Sequence, residues 1–224
     1  MKNFLIILFF LFPITSYAVA NPANGITVMI FGDSLSTGYG LPAEVGWVNL
    51  LKQRMQALSP HYQVINVSIS GETTLGGRHR IEHALKTHQP DIVIIELGGN
   101  DGLRGASIQS IHDNLGAIIQ VCQRNNVMPL LAGMQLPPNY GTAYTQKFRN
   151  IYPQLAERYQ LKLIPFLLDG FGDKREFFQA DGIHPDVAAQ KLITENVWEV
   201  LYPMLESNYS TVQKSIQFEP AFDN

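Results

Sequence analysis

Four short stretches of this sequence carry side chains suited to nucleophilic acyl transfer. They are Gly32-Asp33-Ser34-Leu35-Ser36, Ser68-Ile69-Ser70-Gly71-Glu72, Gly98-Gly99-Asn100-Asp101 and Asp181-Gly182-Ile183-His184-Pro185. A serine hydroxyl is a weak nucleophile until a base takes its proton. Histidine is the usual base, because its charge changes nearest neutral pH. A carboxylate holds the imidazole in one tautomer and stabilises the imidazolium that forms. Asp181 stands three residues before His184, so one loop can bring both to Ser34. The tetrahedral intermediate needs donors for its oxyanion, each worth about 2.7–4 kcal/mol. Gly71 can offer a close backbone N–H, Asn100 a side-chain amide and Ser34 its own N–H. The candidate catalytic residues are therefore Ser34, Asp181 and His184, and the candidate oxyanion donors are Ser34, Gly71 and Asn100.

Elements that could gather these stretches alternate along the chain. Apolar, β-branched runs at Ile26–Phe31, Tyr62–Val67, Asp91–Leu97, Pro129–Met134 and Leu161–Phe166 read as strands. Between them, apolar residues at helical spacing mark helices over Trp47–Leu58, Thr74–Thr87, Ser107–Asn126 and Ala143–Tyr159, and a last helix over Asp186–Leu205. Strands alternating with helices imply βαβ units, right-handed connections and a parallel sheet covered on both faces. The expected fold is an α/β protein, a three-layer α/β/α sandwich with a flavodoxin-like five-stranded parallel sheet. The strand order 2-1-3-4-5 enters by analogy with that fold. Ligands of such sheets sit outside the carboxyl ends of the strands. Three of the four stretches directly follow a strand, and the fourth follows the last strand across a loop.

The blocks GDSLS at 32–36, the glycine at 71, GGND at 98–101 and DGIHP at 181–185 resemble those of GDSL-type SGNH hydrolases. The resemblance spans Ile26 to Leu205, and the four blocks in this order are far more specific than any one alone. Ser68-Ile69-Ser70-Gly71, the run from Leu97 to Gly105 and Pro138-Asn139-Tyr140-Gly141 are similar to a subgroup of bacterial exported acyl-CoA thioesterases, also described as lysophospholipases and proteases. The resemblance implies Ser34 as nucleophile, Asp181 and His184 as its partners, and Gly71 and Asn100 as oxyanion donors. It also implies hydrolysis of esters and thioesters with no metal or organic cofactor, on medium or long acyl chains or lysophospholipids.

Two apolar stretches are candidates for lining an acyl pocket: Gly102–Ala106, with Leu103, and Met134–Tyr140, with Leu136 and Pro137. Ordinary roles compete with several of these assignments. Serine after a strand is usually a helix cap or turn residue, and asparagine in a Gly-rich turn is often only that. Asp33 and Asp101 read as turn-ordering residues, Glu72 as a solvated loop charge and Cys122 as a small core residue. Gly38–Ala43 formally matches G-x-G-x-x-A, but Asp33-Ser34 intervenes after the strand and no acid follows at the required distance. No G-x-S-x-G surrounds Ser34, so the site is not that of an ordinary α/β-hydrolase. Two rival functions remain: a carbohydrate O-acetylesterase using the same triad, and a non-catalytic binding module on the same fold.

The chain has 224 residues, is 46% hydrophobic and carries a formal net charge of −3. That apolar fraction excludes a disordered protein, and the mild acidity argues against nucleic acid as a partner. A single cysteine excludes an internal disulfide framework and a Cys-rich zinc site. Lys2 precedes nine consecutive apolar residues from Phe4 to Phe12, then Pro13 and small residues at Ala18 and Ala20. This is the order of a secretory signal peptide, and the run is half the roughly 20 residues of a membrane anchor. The expected organisation is a signal peptide at 1–20, a hydrolase domain at 21–206 and a tail at 207–224. The mature chain is expected in the periplasm or outside the cell, as a monomer with no stable membrane anchor.

Overall fold

Loops after different strands can converge only if those strands run parallel, and all four pairings in the sheet do. The computed structural model describes residues 25–216, with side chains through 206. The expected signal peptide and its cleavage site lie outside the described residues. The strands are β1 (Thr27–Gly32), β2 (Gln63–Asn66), β3 (Ile92–Glu96), β4 (Met128–Ala132) and β5 (Lys162–Ile164). Their order is β2-β1-β3-β4-β5, as expected. Val28 to Phe31 of β1 and Ile92 to Ile95 of β3 are wholly buried. A central strand of a parallel sheet is covered on both faces, so its apolar run is continuous rather than alternating.

The helices are α1 (Ser34–Thr37), α2 (Trp47–Leu58), α3 (Thr74–His88), α4 (Gly99–Leu103), α5 (Ile108–Arg124), α6 (Thr142–Tyr159) and α7 (Val187–Ile216). α2 packs with α7, while α3, α5 and α6 pack in a row. Right-handed crossovers put these two groups on opposite faces, because the chain reverses direction across the sheet after β2. Cys122 of α5 is buried in the core, and burial raises its thiol to about 12. No helix among the described residues is long and apolar enough to cross a membrane.

Three local features differ from the sequence reading. α1 and α4 are single helical turns where only turns were expected. β5 is three residues long, shorter than the apolar run that marks it. The last helix passes through Pro203 and continues to Ile216, well beyond Leu205. Propagating an existing helix needs no apolar stripe, and residues 206–216 contain no Gly or Pro.

Candidate active site

The site is built at the carboxyl edge of the sheet, where β1 ends at Gly32. Asp33 caps α1 by accepting the Leu35 N–H on Oδ1 at 3.1 Å, and Ser34 opens the turn half-buried. The indole of Trp47, fully buried at the start of α2, donates to Leu35 O at 3.0 Å and ties the turn to the core.

The loop before α7 supplies the candidate base. His184 Nε2 lies 2.9 Å from Ser34 Oγ, and Nδ1 lies 2.7 Å from Asp181 Oδ2. Asp181 Oδ1 accepts the backbone N–H groups of Ile183 and His184 at 2.9 and 3.0 Å. The slight burial of Asp181 disfavours its charge, but the His184 side chain and the two backbone donors outweigh it and bring the carboxyl down to about 2. Asp181 is therefore ionised at neutral pH. The Tyr39 ring lies against His184, with centroids 4.5 Å apart.

The remaining stretches are sewn to this pair by hydrogen bonds. The Ile69 N–H donates to Gly32 O at 3.0 Å, the Gly32 N–H to Ser68 Oγ at 3.1 Å, and the Thr37 and Ser70 hydroxyls are 2.8 Å apart. Among the described residues, neither the Ser34 N–H nor the Gly71 N–H has an acceptor. Asn100 Nδ2 donates to Asp33 Oδ2 at 2.9 Å and to Glu72 O at 3.0 Å, joining the third stretch to the first two. Gly98, before it, has a φ of +114°, and a Cβ there would collide with the Tyr152 hydroxyl, which donates to Leu97 O. Only glycine suits both demands.

Asp101 holds the GGND turn against α3, as the sequence indicates. Its carboxylate accepts the Thr74 N–H at 2.8 Å and the Thr74 hydroxyl at 2.6 Å. Glu72 departs from expectation. Its side chain is only 10% exposed and pairs with Arg80, whose guanidinium lies 3.8 Å over the Phe31 ring. The charge is thus part of a packed ion pair rather than solvated. The two apolar stretches meet at Gly102, where an added Cβ would come within 2.7 Å of Leu136 Cδ2. Leu103 and Leu136 are half-buried and Pro137 is exposed. Among the described residues, no group of three or more His, Cys, Asp or Glu could hold a metal ion.

Glu96 is absent from the sequence reading. It ends β3 fully buried, and its Oε2 accepts the Asp33 N–H at 3.1 Å and the Ser36 hydroxyl at 2.7 Å. The available signal was an acid closing an otherwise apolar strand, Asp91-Ile92-Val93-Ile94-Ile95-Glu96-Leu97.

Comparison with known proteins bears on what this edge does. The GDSL-like lipase/acylhydrolase family matches residues 30–192, more than half of the chain. The esterase TesA of Pseudomonas aeruginosa is 44% identical over 179 residues, covering 80% of this chain and 89% of that protein. The thioesterase 1/protease 1/lysophospholipase L1 of Escherichia coli K12 is 41% identical, covering 80% of this chain and 85% of that protein. The psychrotrophic esterase EstA from Pseudoalteromonas sp., solved inhibited by monoethylphosphonate, matches with a TM-score of 0.76 at 37% identity. That match covers 80% of this chain and 98% of the solved one.

Proposed function

We propose that this chain, which belongs to the GDSL-like lipase/acylhydrolase family and is a hydrolase of esters and thioesters, works through an acyl-enzyme on Ser34. The observation that carries the mechanism is the line from Asp181 Oδ2 through the His184 ring to Ser34 Oγ, with steps of 2.7 and 2.9 Å. His184 takes the Ser34 proton as Oγ attacks the acyl carbon. The carbonyl π pair moves to oxygen, and the Ser34 and Gly71 N–H groups receive the oxyanion. Asn100 joins them by turning one amide hydrogen from Glu72 O towards the oxyanion. His184 then protonates the departing alcohol or thiol. In the second half-reaction it takes a proton from water, the hydroxide attacks the acyl carbon, and His184 returns the proton to Ser34 Oγ as the bond to the acid breaks. Inhibition of a relative by a phosphonate accords with an activated nucleophile.

The substrate we infer carries a medium or long acyl chain, as an aryl ester, a thioester or a lysophospholipid. Large apolar side chains stand exposed at Tyr39, Ile69, Leu75, Tyr140 and Ile183, all on segments that follow the carboxyl ends of strands. Leu103, Leu136 and Pro137 are the proposed acyl contacts. The amino-terminal pattern supports export, with cleavage near Ala18 or Ala20 and a monomeric mature enzyme in the periplasm or outside the cell.

The test is hydrolysis of p-nitrophenyl esters from about two to sixteen carbons, by the mature protein and its Ser34→Ala variant. We expect activity to peak at medium or long chains and to vanish in the variant. A peak at acetate would replace the acyl-chain reading with a small-ester one. Undiminished activity in folded Ser34→Ala would overturn the acyl-enzyme.

A further inference from the structure

Beneath the nucleophile lies a buried acidic pair that the reaction itself does not use. Glu96 is fully enclosed, and Asp33 is 2% exposed. Glu96 Oε2 accepts two donors, the Asp33 N–H and the Ser36 hydroxyl, and these residues bracket Ser34. The Asp33 carboxylate in turn holds the Leu35 N–H and the Asn100 amide. A Cβ on Gly32 would lie 2.5 Å from Glu96 Oε2 and 2.7 Å from Ser36 Oγ, so a side chain there would evict the carboxyl from this place. Glu96 Oε1 is buried with no hydrogen-bond partner. Such an arrangement is expensive for a residue that merely fills space, where a leucine would pack without desolvation.

We propose that Glu96 is a positioning residue, which fixes the Ser34 turn directly and the Asn100 amide through Asp33. The proposal rests on Ser34 being the nucleophile. Burial, reinforced by the neighbouring Asp33 charge, drives the Glu96 carboxyl well above the usual range and so favours its neutral form. Burial also raises Asp33, to about 6, while hydrogen bonds from Leu35 and Asn100 favour its charged form. What the turn requires of Glu96 is the reach of its oxygen rather than its acidity.

Two substitutions separate these properties. Glu96→Gln keeps the length and an acceptor oxygen but loses the acid, whereas Glu96→Asp keeps the acid and loses one methylene of reach. The assay is kcat and KM on a p-nitrophenyl ester, with kcat expressed per serine titrated by a p-nitrophenyl phosphonate. Wild type and Ser34→Ala run alongside, so that failure of the acyl-enzyme reading shows in them alone. We expect Glu96→Gln to keep kcat within about threefold of wild type, the reach and the acceptor oxygen being kept. Glu96→Asp should lose kcat by on the order of 10²-fold at nearly unchanged KM, as misplacement by about 1 Å does. If Glu96→Asp does not fold, Ser36→Ala removes one of the two donors and should lower kcat about fivefold, again without moving KM. Wild-type kcat in folded Glu96→Asp or in Ser36→Ala would overturn the proposal. So would a Glu96→Gln variant as impaired as Glu96→Asp.

Discussion

The proposed nucleophile and the proposed base stand on opposite kinds of structure. Ser34 opens a turn anchored to the central strand β1, to the buried indole of Trp47 and to the enclosed Glu96–Asp33 pair. His184 and Asp181 ride a surface loop, with their side chains 17% and 39% exposed. Each half carries an aspartate, and the two titrate in opposite directions: Asp33 is raised to about 6 by burial, while Asp181 is brought down to about 2 by its hydrogen bonds. The difference follows from what each half must do. A nucleophile and its oxyanion donors have to be held still, which favours attachment to the sheet. A base must exchange protons with substrate and water, which favours the rim.

The contrast predicts that damage to the rim leaves the fold intact and removes the chemistry. In Asp181→Asn the carboxylate no longer selects the His184 tautomer or balances its positive charge. We expect kcat to fall on the order of 10⁴-fold, the scale of the corresponding change in other serine hydrolases. Its melting temperature at pH 7 should stay close to wild type, because an exposed pair contributes little stability. A melting temperature lowered by ten degrees or more would show that the loop is part of the cooperative core, and the comparison would fail.

Stability as a function of pH separates the two aspartates next. Asp33 has a folded pKa of about 6, above its ordinary 3.8. A raised acid contributes stability fully present below the unfolded value and lost as pH rises through the folded one. For Asp33 that window runs from about 4 to about 6, and the loss is on the order of 2–3 kcal/mol. Asp181, lowered to about 2, behaves in the opposite way. Its contribution is present above about 4 and is lost as pH falls towards 2. Unfolding by urea at pH 4 and pH 7 should therefore show Asp33→Asn gaining stability relative to wild type as pH rises. Asp181→Asn should differ little from wild type between these pH values. Parallel pH curves for wild type and Asp33→Asn would sink the upward shift of the Asp33 carboxyl.

The two halves were also unequally legible in the sequence. Residues at the rim are the easier to read, because Asp181 and His184 stand three apart in one loop. The sheet order came by analogy with one fold, since periodicity marks strands without ordering them. Glu96 was hidden by its own context. An apolar run reads as a buried strand, and its last residue reads as the point where the strand surfaces. Here that residue is wholly enclosed, because the close approach at Gly32 opens a space for it. Glu72 was misread for a related reason. Its partner Arg80 comes from α3, and the Phe31 ring under Arg80 comes from β1, so only the folded chain brings the three together.

A smaller effect tests what holds the rim loop in place. Arg175, just upstream, donates to Phe178 O at 2.8 Å and to Ala180 O at 3.0 Å. Gln179 closes the same loop, donating to Pro185 O at 3.1 Å and reaching across to Tyr39 O at 2.7 Å. The loop thus keeps its shape by carbonyls gathered on two side chains and by backbone hydrogen bonds across it, Gln179 N–H to His184 O and Asp186 N–H to Phe177 O, each at 2.8 Å. A guanidinium can serve two carbonyls in fixed directions, whereas an ammonium acts as a point charge on a flexible stem. Arg175→Ala should lower kcat about tenfold, one to two lost hydrogen bonds' worth, with the melting temperature nearly unchanged. Arg175→Lys should recover only part of that loss. If Arg175→Ala keeps full kcat, Gln179, Asp181 and the backbone hydrogen bonds across the loop hold His184 without the guanidinium. If it unfolds the protein, the loop belongs to the same rigid body as the nucleophile, and the two halves differ only in exposure.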